Sequence, residues 1–460
     1  MKHPRWRRPS IAFAVILALG GAVWLGLRQA ARMEPTAVNV TRSEVRAEGA
    51  SRHLGSSRAY KTGEITTVEL GGTPEQIGYD HARLLRDELF TVEGDIFQDF
   101  EQRLPSGAAR RLLMDIAGFR YRGLSSSYDD ARRRELSGQA LGLAPDPFSK
   151  VFPSFQRLVY LNALYDIALS FEHSPIVGCT TFVVDARSRG GGVLLARNFD
   201  FDVGKSFDEH KVVFLVREAG KVPFASVAWP GLVGVVSGVN AEGVAAVVHG
   251  ARAGPTSTRG EPVVHALRRV LSHATTAEHA VELLAEGQAM VSHIVIVADR
   301  SGKAFVVERT VNAPPFARPL QGDACVTNHL EGPARSDPKN QRVLETTTTR
   351  ERRERGDALL HTPTQTVADA VAMLRDRKGA AGNDLPLGDR RAIDAFIAGH
   401  GVVVDFTDEA LWVSEGPRLA GRFVAFDLRS GLGSASPRPF RSLPEDPERH
   451  APEIEKLLAP

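Results

Sequence analysis

Between Thr180 and Val307 the chain breaks into seven short runs rich in β-branched and aromatic residues: Thr180 to Ala186, Val193 to Asn198, Val212 to Arg217, Phe224 to Trp229, Val244 to His249, Ile294 to Ala298 and Ala304 to Glu308. Gly, Asp and Ser separate them, which is the punctuation of hairpins and predicts an antiparallel sheet. Only a two-helix insert interrupts the block. It covers Pro262 to Ser272 and Ala277 to Ala285, the second helix opened by a Thr275-x-x-Glu278 capping box. Upstream, Thr73-Pro74-Glu75-Gln76 combines an N-cap, a first-turn proline and a Gln three residues after the cap, so a helix begins there. Apolar spacing predicts further helix through Phe97 to Leu104 and Pro153 to Phe171, and later through Gln341 to Thr349 and Val367 to Arg375. A last strand pair, Val402 to Phe406 and Ala410 to Val413, follows. The fold class is α+β: a helical N-terminal third, then mostly antiparallel sheet with helices layered against it.

Composition narrows the function. In 460 residues, 43% hydrophobic and 24% charged, there is material for a large folded core. Lys and Arg number 57 against 55 Asp and Glu, which gives no basic field for nucleic acid. Two cysteines, Cys179 and Cys325, exclude a disulfide-dense scaffold and a four-thiolate zinc site. Neither a strand-linked G-x-G-x-x-G, a Walker loop nor an H-E-x-x-H spacing occurs, so no cofactor and no metal is expected. Ile11 to Leu27 carries no charge and follows Lys2, Arg5, Arg7 and Arg8. It reads as a transmembrane anchor with the body of the protein exported, or as a cleaved signal peptide that would leave the protein secreted. The polar stretch from residue 34 to 61 reads as a linker off the membrane.

The chemistry concentrates in Gly178-Cys179-Thr180-Thr181-Phe182, a glycine-rich turn at Gly190-Gly191-Gly192, and Ala196-Arg197-Asn198-Phe199-Asp200. If residues 187 to 192 close a hairpin, Cys179 stands opposite Asp200, about 5 Å away. Arg197 is then close enough to favour the thiolate. The plainer alternative is a core cysteine beside a surface ion pair.

These motifs resemble those of the peptidase C45 family, the acyl-coenzyme A:6-aminopenicillanic acid acyltransferase group of N-terminal-nucleophile (Ntn) hydrolases. Supporting blocks are Gly72 to His81, Gly238-Val239-Asn240-Ala241-Glu242-Gly243-Val244, Val326-Thr327-Asn328-His329 and Leu411 to Pro417. The resemblance implies an αββα four-layer sandwich and self-cleavage between Gly178 and Cys179. Residues 1–33 would then be the anchor or signal, 34–61 the linker, 62–178 a helical pro-segment, and 179–460 the catalytic domain, the two cleaved chains remaining associated. It implies Cys179 as nucleophile, Arg197 and Asp200 as the pair orienting the new amine, and Asn328 as oxyanion donor. It also implies a small acylated amide or thioester as substrate. Two positions depart from the family pattern. His249 stands where relatives carry Asn, and the family Ser-x-x-Arg appears as Ser336-x-x-Lys339 with Arg342 beyond, so the oxyanion and cation roles are open between them. A noncatalytic anchored module with a Cys179–Cys325 disulfide is the alternative from a different class, and a Cys/His peptidase using His249 or His329 a third.

Overall fold

The computed structural model describes residues 21–22, 24–171, 177–201 and 206–458. Most of the apolar segment from Ile11 to Leu27 lies outside them. Among the described residues no helix is long and apolar enough to cross a membrane.

Two sheets dominate the described residues. The larger orders eleven strands: Arg46–Glu48, Ser51–Leu54, Ser57–Thr62, Ile65–Gly72, Val212–Glu218, Phe224–Ala228, Ser237–Asn240, Val244–Gly250, His293–Asp299, Ala304–Arg309 and Phe316–Pro319. The smaller orders seven: Ala324–Val326, Val177–Asp185, Val193–Phe201, Ala398–Asp405, Ala410–Ser414, Phe423–Asp427 and Ser442–Leu443. Pairing is antiparallel throughout except between Ile65–Gly72 and Val212–Glu218, which run parallel. The expected α+β class with antiparallel sheets is thus present.

Strand alternation sorts the core into layers. Val183, Val193 and Leu195 of the smaller sheet meet Val213, Val227, Val247 and Ile296 of the larger one. The opposite face of the smaller sheet, with Phe182, Val184, Leu194 and Ala196, packs under the Val367–Leu374 helix. Val244, Ala246 and Val248 of the larger sheet turn away from the smaller one, toward Leu267, Val270 and Leu271 of the Val263–His273 helix. Helices therefore flank a pair of facing sheets.

Three local expectations change. The stretch read as a linker folds instead: Ser51–Leu54 and Ser57–Thr62 are strands that extend the larger sheet, and Ser57–Thr62 alternates buried and exposed side chains over polar sequence. The capping residue of Ala277–Ala285 is Thr276, whose side chain accepts from the His279 N–H, not Thr275. Thr73 makes no side-chain cap, and Gln76 turns instead to the Thr41 backbone and Asp80.

The N-terminal segment is bound to the rest through buried polar groups. Arg132 and Arg268 both reach Glu218, and Arg268 lies 3.4 Å from Glu135. Asp166 accepts from the Val263 N–H at 3.0 Å, at the start of the Val263–His273 helix. Gly78 and Gly138 allow the two helices Pro74–Leu84 and Asp130–Gly142 to touch, since a Cβ at Gly78 would meet Glu135 O at 1.9 Å.

Asn240 ends the Ser237–Asn240 strand. Its side chain donates to Leu271 O at 3.1 Å and Ala274 O at 2.7 Å and accepts from Val244 N at 2.9 Å. Gly243 completes the turn with φ +76°. Asn240→Ala should lower unfolding free energy by about 2–3 kcal/mol, one increment for each lost buried bond. Denaturant melts would measure that loss, and the chain's chemistry at Cys179 should be unchanged.

Buried titratable groups set a pH response. Burial is the first cause holding His81, His249, His265, His293, His329 and His400 below the ordinary imidazole value, His81 and His293 down to about 3. Burial also pushes Asp166 and Asp200 up to about 7. The imidazoles lend stability that is present above the unfolded-state pKa of about 6.5 and lost as pH falls through it; the raised carboxyls, which include Asp80, Glu93, Glu135, Glu308, Asp394 and Asp405 besides these two, act oppositely, their stability being lost as pH rises through the folded-state value. Below about pH 6.5 each imidazole that the unfolded chain protonates and the fold does not costs the fold up to about 1.4 kcal/mol per pH unit, so His293→Gln should flatten the acid side of the stability-against-pH profile measured by chemical denaturation. An acid side left unchanged by that substitution would contradict the assignment of a buried neutral imidazole.

Candidate active site

Cys179 lies on the Val177–Asp185 strand, and its partner strand fixes what it can meet. The turn between them holds seven residues, because a 3₁₀ turn at Arg187–Arg189 ends on Gly190 at φ +79° before Val193 pairs with Asp185. The expected register is therefore shifted by one residue. Gly178 pairs with Asp200, and Cys179 with Phe199. A one-residue slip moves a side chain to the other face of a sheet. Cys179 and Arg197 accordingly share the face turned toward the larger sheet, while Asp200 is on the opposite face.

That slip brings the guanidinium to the thiol. Arg197 Nη2 is 3.3 Å from Cys179 Sγ and donates to Val248 O at 2.6 Å. Its Nη1 donates to Val236 O at 2.9 Å and to Ser237 Oγ, and its charge lies 4.4 Å from the Phe199 ring centre. Ser237 Oγ is in turn 2.9 Å from His400 Nε2. The Cys179 thiol faces Val248 O at 3.8 Å. Burial pushes the thiol above its ordinary range and Arg197 opposes that shift, so the intact chain holds a protonated sulfur.

Two side chains hold the backbone on either side of the Cys179 Cα, Asn328 at its N–H and Arg352 at its carbonyl. Asn328 Oδ1 accepts from the Cys179 N–H at 2.8 Å, and its Nδ2 donates to Gly250 O at 3.0 Å. Arg352 Nη1 donates to Cys179 O at 2.5 Å and to Thr180 Oγ1 at 2.9 Å, while Nη2 donates to Asn328 Oδ1 at 2.9 Å. A Cβ on Gly178 would stand 3.3 Å from Asp200 Oδ2 and 3.8 Å from Arg352 Nη2, so the missing side chain leaves room for that carboxylate and guanidinium. Burial raises Asp200 to about 7 against the pull of Arg352.

The cation beside the Gly178–Cys179 bond is thus Arg352, on the Thr349–Leu359 helix. Lys339 and Arg342 belong to the preceding Pro338–Thr346 helix, where Arg342 is exposed and the Lys339 N–H donates to Asp337. The Ser336-x-x-Lys339 reading therefore gives way to Thr349-x-x-Arg352, in which Thr349 Oγ1 accepts from the Asn328 N–H at 2.8 Å. His249 is buried one layer from the sulfur. Its Nε2 is 2.6 Å from Thr181 Oγ1 and its Nδ1 3.2 Å from Thr327 O, so both nitrogens are occupied away from the thiol, against the Cys/His peptidase reading. His329 meets Thr327 and Thr349 instead.

The disulfide alternative fails. Both cysteines are free, and Cys325 pairs with Phe182, whose side chain faces the helices with Cys325 itself, whereas Cys179 faces the other way. Cys179 is 0% exposed. Tyr165 stacks on Phe199 at 6.2 Å and, with Leu169, closes over Gly250.

The acyl-coenzyme A:6-aminopenicillanic acid acyl-transferase family model matches residues 187–384. Over that span the chain is similar to this family. The span holds Arg197, Asp200, His249, Asn328 and Arg352, and starts eight residues after Cys179. No curated protein matches the sequence. Among solved structures, a Caenorhabditis elegans N-acylethanolamine-hydrolyzing acid amidase ortholog is similar at 16% identity over 49% of this chain and 92% of that chain, with a TM-score of 0.37. Penicillin V acylase from Agrobacterium tumefaciens is 16% identical over 58% and 99%, TM-score 0.34. A variant of conjugated bile acid hydrolase from Clostridium perfringens is 11% identical over 58% and 98%, TM-score 0.35. Residues of the matched span thus surround Cys179, and Arg352 is the one among them to which no sequence motif pointed.

Proposed function

We propose that the chain is an Ntn-type amidohydrolase or acyltransferase with an αββα arrangement, activated by cutting itself at Gly178–Cys179. One observation carries the reading: a buried thiol lies 3.3 Å from Arg197, with the Cys179 N–H of the Gly178–Cys179 peptide held by Asn328 and the Cys179 carbonyl, one peptide further on, held by Arg352. In maturation the Cys179 sulfur attacks the Gly178 carbonyl carbon, the Gly178–Cys179 C–N bond breaks, and the thiol proton ends on the departing Cys179 nitrogen. Water then hydrolyses the thioester, leaving a Gly178 carboxylate and a free thiol. The new α-amine, with a reference pKa near 8, serves as base in the next reaction. An acyl amide or thioester donates its acyl group to Cys179 Sγ, and water or an amine takes it away.

Once the Cys179 amide becomes an amine, Asn328 is free to turn its donor toward a developing oxyanion; removal of such a donor costs about 3 kcal/mol in studied cases. His249, Lys339 and Arg342 are left outside the reacting groups. The segment through residue 178 stays bound because the Arg132–Glu218–Arg268 cluster and the Asp166–Val263 bond cross the cut. The uncharged N-terminal run supports an exported enzyme in this reading, anchored at the outer face of a membrane, or secreted if the run is cleaved off. Incubation with a fatty or aryl acyl amide and mass analysis of the 179–460 fragment tests the proposal: an acyl adduct on Cys179 supports it, and turnover without any adduct or cut would sink it.

A further inference from the structure

Apolar surface is unevenly distributed on this molecule. Of the twelve large apolar side chains exposed among the described residues, seven lie on two short stretches, residues 24–27 and the Gly107–Arg120 helix. On that helix Leu112, Leu113, Ile116 and Phe119 stand outward, Leu112 at 59% and Ile116 at 54% exposure, while Met114, Ala117 and Gly118 turn toward Phe152 and Tyr160. Trp24 Nε1 donates to Asp115 Oδ2 at 3.0 Å, which fastens the 24–30 helix alongside. At the other end Tyr121 bonds Ser170 at 3.2 Å, bringing Phe171, 62% exposed, to the same edge. Monomeric soluble proteins rarely leave such a continuous face uncovered.

The charges left unpaired on and just beyond this helix are cationic. Arg111, Arg120, Arg122 and Lys150 have no carboxylate partner among the described residues, and Arg122 covers the Phe119 ring at 4.2 Å. The nearby acids are already matched, Asp115 by Arg28 at 2.9 Å and Glu101 by Arg110 at 3.0 Å. Behind the helix a cleft of about 540 Å³, walled by Phe97, Phe100, Phe148 and Phe152, opens between Arg111 and Lys150. An outward apolar helix face ringed by unmatched cations, with an aromatic cleft behind it, fits acyl chains below and phosphates at the rim.

We infer that the Gly107–Arg120 helix is a second membrane contact, lying in the surface of an anionic bilayer. It acts independently of any anchoring by the first 27 residues and of the catalytic reading. The occupant is lipid. A second copy of the chain would bring the same four cations face to face, which like-charge repulsion disfavours.

The test places a thiol-reactive environment-sensitive dye on Ile116→Cys in the full chain, the two native cysteines being buried, and on Glu282→Cys, an exposed site on the Ala277–Ala285 helix, as reference. Each is mixed with phosphatidylcholine–phosphatidylglycerol vesicles carrying a nitroxide on the acyl chain. Quenching at position 116 should exceed that at 282 by roughly threefold or more, and should weaken when Arg111 and Arg120 are both changed to Glu. Equal, weak quenching at both sites would show a protein held only by its N-terminus and would overturn the inference. So would a dye at 116 that is already shielded without vesicles in a concentration-dependent manner, which identifies a second copy as the occupant. Neither result touches the assignment of Cys179.

Discussion

Cys179→Ala should leave a single uncut chain with no acyl-amide turnover, a loss as large as the assay can read. Without the sulfur nothing attacks the Gly178 carbonyl, and without the cut there is no α-amine to act as base. The fold should survive, because alanine keeps the Cβ and the strand pairing of Cys179 with Phe199 is a backbone matter. Cys325→Ala is the internal control. Cys325 packs against Phe182 and Gly356 on the helix-facing side of the sheet, and its loss should leave cutting at the wild-type rate. Gel mobility and intact mass of the two variants decide the matter. An uncut Cys325→Ala protein would revive a role for the second thiol.

Arg352→Ala should slow self-cleavage by roughly a hundredfold or more, since it removes the donors that fix the Cys179 carbonyl and the Asn328 amide. Arg352→Lys should not restore the rate. A single ammonium cannot bridge Cys179 O, Thr180 Oγ1 and Asn328 Oδ1 as the planar fork does. Stability must be separated from chemistry here, because Arg352→Ala also strands the Asp200 carboxyl, which burial already holds near 7. Asp200→Asn in the Arg352→Ala background relieves that charge, so it should raise the melting temperature without restoring the cut. The half-time of cleavage against Tm across the three variants is the measurement. A folded Arg352→Ala chain that cuts itself at the wild-type rate would show that Arg352 only fills space.

The difference between what was legible in the sequence and what was not has physical causes. The strands from Thr180 to Val307 could be read because buried strands concentrate Val, Ile and Ala between glycine turns, and the observed elements differ from the reading mostly at their ends. Cys179, Arg197 and Asn328 could be named from the sequence and lie together, with Asp200 beside Gly178 on the other face. The hairpin register was not found, since a left-handed Gly190 added one residue to a turn that composition alone leaves undefined. With it went the facing of Cys179 on Asp200. Strands 51–62 were missed because an outlying strand pair with polar outward residues looks like any solvated stretch. Arg352 was hidden in Arg350-Glu351-Arg352-Arg353-Glu354-Arg355, a charge run of the kind that normally lies in water. Its one signal was Thr349 three residues before it, the same spacing that drew attention to Ser336 and Lys339.

The roles given to these residues all depend on one bond. N-terminal sequencing of the purified wild-type protein reads that bond directly. The account predicts a fragment that begins Cys179-Thr180-Thr181-Phe182 and copurifies with the segment ending at Gly178, held by the Arg132, Glu218 and Arg268 cluster. A protein that hydrolyses acyl amides while the Gly178–Cys179 peptide stays whole would contradict it.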